Sequence, residues 1–354
     1  MSLDALRGFD MMLIVGGDKI LRAASAAIDP ELHSWTVAQT THPEWNGYSA
    51  WDQVFPLFMF VTGVAMPFSL TRRVERGDDR WALFWHVVRR GLFLVLLGAI
   101  YNGLLKFEFA DQRYPSVLGR IGLGYLFAGL IVLSVGIRGQ VIASVLILAG
   151  YWAAMRYIPV PGFGAGDWVP GHSLAGYVDR HVIPGRLYRE VRDPEGLFST
   201  IPAVATVLSG TFAGHWIRRK SPGGGMKTVA LIGAGVATLG LGLLWSRWFP
   251  FNKNLWTSSF VLLTSGVSLL TLAVFYVVID VWGYRRWAFF FVVIGLNAIT
   301  IYMARKFIDF EELSQLIFAS TEKRVHPALF STAELLLSWL FLYVLYRRRI
   351  FLRV

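Results

Sequence analysis

The chain has 354 residues, 55% of them hydrophobic and only 16% charged, with Trp 14, Phe 26 and Tyr 13; a water-facing surface needs about a quarter of its residues charged, so a cytosolic enzyme with a membrane tag is excluded. One spanning helix takes about 20 apolar residues, and the apolar inventory allows about ten such spans with little left for a soluble domain. The formal net charge of +11 would suggest nucleic acid in a soluble protein; in a membrane protein it reads as basic loops that hold one face in the cytoplasm, with the lipid bilayer and no nucleic acid as partner.

The run from Met1 to Ala27 carries Asp4, Arg7, Asp10, Asp18 and Lys19. It therefore has no clean apolar core of a cleavable signal and reads as a retained first span over about 5–27. Asp4, Arg7 and Asp10 fall on one helical face and read as a local ion-paired cluster. A polar stretch, 28–50, follows. Apolar runs then predict spans at about 51–70, 82–105, 117–137 and 141–158. The segment 158–196 is broken by Pro159, Pro161, Gly162, Gly164, Gly166, Pro170 and Gly171 and reads as a loop. Further spans follow at about 197–217, 228–247, 258–281 and 287–306, then a loop at 307–326 and a last span at about 327–346. Pro67 and Pro202 are expected to kink their spans.

Side assignment rests on basic residues. Arg72, Arg73, Arg76 and Arg80 lie between the second and third spans, and Arg218, Arg219, Lys220 and Lys227 between the sixth and seventh. Arg285 and Arg286 follow the eighth, and Arg347, Arg348, Arg349 and Arg353 end the chain, whereas 28–50 has no Lys or Arg. The positive-inside rule then predicts an all-α integral membrane protein of about ten transmembrane helices with both termini cytoplasmic. The expectation is a single multi-pass domain over 1–354, with extracytoplasmic loops at about 28–50, 158–196 and 307–326.

Ionisable groups inside a span cost a few kcal/mol each and ask for a partner or a role. Arg89 and Arg90 lie close enough to the cytoplasmic interface to snorkel. Arg120 sits near the outer start of the fourth span. Asp280 reads as a boundary pair with Arg285 and Arg286, and Glu334 has no evident partner. With Cys 0, thiolate nucleophiles, disulfides and Cys-ligated metals are excluded.

The densest polar stretch is Thr41-His42-Pro43-Glu44-Trp45-Asn46-Gly47-Tyr48-Ser49-Ala50-Trp51-Asp52-Gln53-Val54-Phe55-Pro56. Two readings stand side by side. In one, Trp45, Tyr48 and Trp51 form an aromatic interface belt, Asn46-Gly47 is a turn and His42 is merely exposed. In the other, His42 is a general base or nucleophile, Asp52 or another carboxylate orients it, and Asn46 binds a polar substrate.

That stretch is one of several ordered blocks. The others are Ser2-Leu3-Asp4-Ala5-Leu6-Arg7-Gly8-Phe9-Asp10, Val117-Leu118-Gly119-Arg120-Ile121-Gly122, Asp193-Pro194-Glu195-Gly196-Leu197, Asn252-Lys253-Asn254-Leu255-Trp256-Thr257 and Gly295-Leu296-Asn297-Ala298. In order and spacing the set resembles the transmembrane acyltransferases of the heparan-alpha-glucosaminide N-acetyltransferase type, across nearly the whole chain. The resemblance implies acetyl-CoA as cosubstrate, no metal, and a sugar-like amine or hydroxyl acceptor met on the extracytoplasmic side.

Position by position, the family's essential histidine matches His42, with Trp45, Asn46 and Gly47 in step, and its aspartate before Phe-Pro matches Asp52. An asparagine of the family falls on Asp18, a departure that alters the field expected beside His42. Catalysis is thus expected from His42 and Asp52, acceptor binding from Asp18, Trp45, Asn46 and Tyr48, and CoA binding from Arg7, Arg89, Arg90 and Arg120. His42 would either deprotonate the acceptor or carry the acetyl group itself; Asn46, Tyr48 or a backbone N–H would hold the developing oxyanion. The family also inclines towards a homodimer, and the short leading segment towards a bacterial inner-membrane protein with amino-sugar or glycan acceptors. The competing reading from residues alone is a secondary transporter or flippase for a polar or lipid-linked solute, with Asp10, Arg120 and Glu334 in its path.

Overall fold

The computed structural model describes residues 1–318 and 327–351. Its regular elements are helices: α1 Ser2–Met12, α2 Asp18–Ile28, α3 Pro30–Gln39, α4 Val54–Met66, α5 Arg72–Glu75, α6 Arg80–Tyr101, α7 Val117–Ser134 and α8 Ile137–Tyr157. They continue with α9 Leu174–Val182, α10 Thr200–Arg218, α11 Gly224–Trp245, α12 Ser258–Tyr276, α13 Ala288–Leu296, α14 Ala298–Phe307, α15 Phe310–Phe318 and α16 Pro327–Arg347. Among the described residues, 7 helices are long and apolar enough to cross a membrane, or 8 if the pair α13–α14, bent by 69°, forms one span. The protein is an all-α, multi-pass membrane protein, as its composition demands.

Helices also lie over the first and sixth predicted spans, but neither is a continuous apolar rod. The first is interrupted by a π-helical turn, Leu13–Gly17, in which Gly16 adopts φ 152, a value that a residue with a Cβ rarely reaches. The sixth, α10, is rich in Thr, Ser and Gly. Pro202 falls in the first turn of α10, where no intrahelical N–H bond is due, so the predicted kink has no cause there. Pro67 instead opens the π-helical turn Pro67–Thr71. The outer segments also contain short helices, α3 within 28–50 and α9 within 158–196. The predicted loop 307–326 holds α15 and then runs through 319–326, outside the described residues, as does Arg353.

The helices fall into two compact units. The first comprises Met1–Pro43, Ser49–Val54 and the described part of Leu272–Arg353. Its central crossing is α1 on α13, where a Cβ on Gly8 would lie 1.8 Å from the Phe291 carbonyl oxygen and one on Gly295 1.9 Å from that of Asp4. Glu334 on α16, expected to be alone, accepts from Lys19 Nζ at 3.0 Å and from Arg305 Nη2 at 2.9 Å. Arg305 also donates to the Val15 carbonyl, which lies in the π-helical turn. Asp280 accepts from Ser2 Oγ rather than from the arginines that follow it in sequence. Of the expected ion-paired cluster, Asp4 pairs with Arg7 at 3.3 Å, whereas both carboxylate oxygens of Asp10 are buried with no hydrogen-bond partner among the described residues.

The second unit comprises Glu44–Tyr48 and Phe55–Thr271. Small residues again set its closest approaches, as expected where lipid removes the hydrophobic drive for helix association and close backbone packing replaces it. A Cβ on Gly63 of α4 would lie 1.8 Å from the Val207 oxygen of α10, and one on Gly210 1.9 Å from the Phe60 oxygen. Gly122 of α7 stands in the same relation to Gly91 of α6, at 2.5 Å. Backbone atoms cannot swing aside as a flexible side chain can. Gly63→Ala is therefore expected to destabilise the protein by about 1–3 kcal/mol, read as a lowered melting temperature in detergent. Gly233→Ala on α11, where a Cβ meets nothing within 4 Å, should leave it unchanged, and equal shifts in the two variants would contradict this packing.

Candidate functional site

In the first unit the chain between α3 and α4 brings His42 and Asp52 together. Asp29 caps α3 by accepting from Leu32 N at 2.7 Å, with Pro30 at the first helical position. Arg22 of α2 donates to the Thr40 carbonyl at 2.6 Å and to Thr40 Oγ1 at 2.8 Å, which fixes the chain just before His42. On the far side, Ser49 and Asp52 form a reciprocal capping box around the short turn Ala50–Gln53.

Asp52 Oδ2 accepts from Ser49 N at 3.1 Å, and Oδ1 lies 2.6 Å from His42 Nδ1. The Asp52 side chain is 1% exposed and that of His42 46%. A buried carboxylate locked by a helix cap therefore holds one nitrogen of a half-exposed imidazole, the arrangement that fixes tautomer and ring orientation in a general base. Asp18 opens α2 and makes no hydrogen bond or ion pair among the described residues; it is Arg22, one turn further on, that reaches the His42 segment.

Trp45, Asn46 and Tyr48 belong to the second unit. Trp45 Nε1 donates to the Trp168 carbonyl at 2.7 Å, and the Arg192 guanidinium lies 4.1 Å from its ring centroid. Gly47 N donates to the Phe251 carbonyl at 2.9 Å. Asn46 is exposed and accepts at Oδ1 from Asn252 Nδ2 at 3.1 Å. Tyr48 meets Phe260 edge-on, with ring centroids 6.5 Å apart. Trp256, at φ 49, donates from Nε1 to Thr206 Oγ1 at 3.1 Å and packs edge-on against Phe55 and Phe260.

Arg120 is 1% exposed. Its guanidinium lies 4.8 Å from the Trp256 ring centroid, and Nη2 donates to the Gly196 carbonyl at 3.1 Å and to Ser199 Oγ. Ser116 caps its helix by accepting from Gly119 N at 2.9 Å. Nearby, Arg113 grips Asp193 with two bonds of 2.7 Å and also donates to Glu195. Gly196 is a close-approach position, since a Cβ there would lie 1.8 Å from Asp179 Oδ2. Arg120 thus braces the turn that carries Asp193 to Leu197.

Of the other expected CoA contacts, Arg89 is exposed on α6. Arg90, one residue on, lies 4.5 Å from the Tyr125 ring centroid, with its Nε buried and without a hydrogen-bond partner among the described residues. Arg73 is within electrostatic reach of both His86 and Tyr125. This second-unit cluster offers cationic N–H donors suited to phosphate oxygens. Arg7 lies in the first unit beside Asp4. Arg22, Ser49, Tyr125 and Asn252 carry much of this geometry and were not singled out by sequence. Arg22 left a faint signal as a cation three residues after Lys19, late in the first apolar run; Tyr125 left none.

An all-helical, multi-pass membrane protein with a buried carboxylate clamping an imidazole is the class that fold and site together define. Residues 1–103 match the family described as "Domain of unknown function (DUF5009)". Over 88% of its length the chain is 25% identical to heparan-alpha-glucosaminide N-acetyltransferase of Mus musculus, covering 56% of that protein. Over 100% of its length it is 26% identical to the Homo sapiens protein of the same name, covering 59%. The chain is therefore homologous to heparan-alpha-glucosaminide N-acetyltransferase over most of its length, and it spans less than two thirds of the length of these relatives.

One titration outside the membrane follows from this geometry. Burial pushes the Asp179 carboxyl from 3.8 up to about 6, against the opposing pull of the Phe198 N–H and Arg120. The folded state thus holds this proton to higher pH than the unfolded chain, and stability from this group is full below 3.8 and lost as pH rises through about 6. The loss amounts to about 3 kcal/mol. Asp179→Asn should flatten the fall in melting temperature between pH 4 and pH 7, and an unchanged slope would refute the assignment.

Proposed function

We propose that the protein is a membrane-embedded acyltransferase that moves an acetyl group from cytoplasmic acetyl-CoA to the amine or hydroxyl of an amino-sugar or glycan acceptor on the extracytoplasmic side. The observation that carries the reading is the His42–Asp52 couple, an imidazole held by a buried carboxylate. The proposal covers 1–354 as one multi-pass unit of about ten spans, with both termini cytoplasmic, in a bacterial inner membrane and as a homodimer.

Asp52 holds Nδ1 of His42, so the proton is exchanged at Nε2. The neutral imidazole takes a proton from the acceptor nitrogen or oxygen, the acceptor attacks the thioester carbonyl, and the C–S bond breaks. The departing thiolate then receives the proton from His42. In the second route the acetyl group rests on His42 before passing on. Arg89 and Arg90, with Arg73 and Tyr125 beside them, hold the phosphates of the donor, and Arg7 adds charge at the cytoplasmic end of α1. Trp45, Asn46, Tyr48 and Asp18 contact the acceptor.

A second reading, a secondary transporter or flippase, is favoured by one observation: the broken pairs α1–α2 and α13–α14, of the kind that build solute sites in transporters. Binding of acetyl-CoA to the purified protein in nanodiscs separates the two, because a transporter of an unrelated solute has no reason to bind it. In an assay of labelled acetyl transfer to glucosamine, His42→Ala should lower turnover by about 10²–10⁴. Asp52→Asn should lower it by more than tenfold while donor binding persists. Wild-type transfer by His42→Ala protein would sink the proposal.

A further inference from the structure

Asn252 is fully buried, at 0% exposure, and its side chain is oriented by a group that cannot be reversed. The backbone N–H of Leu255 points at its Oδ1 over 2.9 Å. Turning the amide over would set an NH2 group against that N–H and leave both unsatisfied in the interior. The Asn252 backbone is fixed as well, because its N donates to Thr257 Oγ1 at 3.2 Å while Thr257 donates onward to the Pro250 carbonyl at 2.9 Å.

With Oδ1 committed, Asn252 can offer Asn46 only its Nδ2, and Asn46 must accept through Oδ1, as it does at 3.1 Å. The orientation of the exposed Asn46 amide is thereby decided by a backbone N–H two hydrogen bonds away. What Asn46 turns outward is its NH2 group, a pair of donors.

Resting on the acyltransferase reading, we infer that Asn252 is a positioning residue that locks Asn46 with its NH2 outward, and that Asn46 donates a hydrogen bond to a substrate oxygen that gains negative charge during transfer. An amide held in one sense costs no reorganisation when that charge develops. The same lock turns the Asn46 amide oxygen toward Asn252, so the role it favours at the outward face is that of a donor.

Three variants test this against a merely structural role. Asn46→Asp keeps an oxygen facing Asn252 and replaces only the outward NH2. It should melt at the wild-type temperature and bind acetyl-CoA within twofold of wild type, yet turn over at least tenfold more slowly. Asn252→Ala strips the Leu255 N–H of its acceptor but leaves Asn46 able to rotate into place. Asn252→Asp keeps that acceptor but sets a carboxylate against Asn46 Oδ1, which turns the Asn46 amide over.

Stability should therefore run Asp above Ala at position 252, whereas turnover at pH 8 should run Ala above Asp. Lowering the pH protonates the carboxyl of the Asn252→Asp variant, which then donates to Asn46 Oδ1. Its turnover relative to wild type should rise severalfold between pH 8 and pH 5.5. Turnover that follows stability at position 252, a flat pH ratio, or wild-type turnover by Asn46→Asp would each overturn the inference while acetyl transfer by the wild type stands. Absence of acetyl transfer from acetyl-CoA by the wild-type protein would overturn the reaction and this role with it.

Discussion

Hydrocarbon offers no hydrogen bonds, so every backbone polar group that this chain carries into the bilayer has to be matched from within the protein. In the first unit that constraint links features that are distant in sequence. Gly16 breaks the first apolar run and frees the carbonyl of Val15; Arg305 of α14 takes that carbonyl and, with Lys19, neutralises Glu334 of α16. The break, the two cations and the acid are a single arrangement. Removing one partner would strand the others in a medium where an unpaired charge is far more costly than in water. The break between α13 and α14 is handled the same way, with Asn297 donating to the carbonyl of Ile350 at 3.1 Å.

In the second unit the same economy of partners serves geometry. Arg120 lies buried between the face of Trp256 and the Gly196 carbonyl, while Tyr151 donates to the Leu255 carbonyl at 2.6 Å. Trp256 is held in turn by Thr206, Phe55 and Phe260. The Asn252–Thr257 turn and the Asp193–Leu197 turn are thus built around one cation–aromatic contact. Such contacts gain strength where solvent is excluded. The glycine crossings complete the frame, because they let α4 meet α10 and α6 meet α7 at backbone contact and leave little freedom for the turns above them.

Much of this was legible in the residue order. The long apolar runs of α6, α8, α11 and α12 could be nothing but spans, and Pro67 and the Gly-rich segment after α8 marked interruptions in the right places, whereas Pro202 fell in the first turn of α10 and marked none. His42 and Asp52 stood out because charge is scarce around them, and their pairing at a spacing of ten residues is local enough to suspect. Glu334 was misread as solitary because Lys19 lies 315 positions away, on α2, and Arg305 29 positions away, on α14. Asp280 was given to Arg285 and Arg286 by proximity in sequence, although its hydrogen bond comes from Ser2 at the other end of the chain. For Arg120 sequence shows a cation near a span end; what covers it, the Trp256 ring and the Gly196 carbonyl, comes from segments far along the chain.

The sequence by itself determined the class of protein and the side chains available for chemistry, because span length, charge scarcity and basic loops are properties of composition and local order. The tertiary structure alone decided which charges were structural and which nitrogen of His42 Asp52 would hold. It also decided which way the amide of Asn46 would face. Those outcomes depend on distances between segments far apart in the chain, and in a low-dielectric interior a hydrogen bond of about 3 Å decides a group's role.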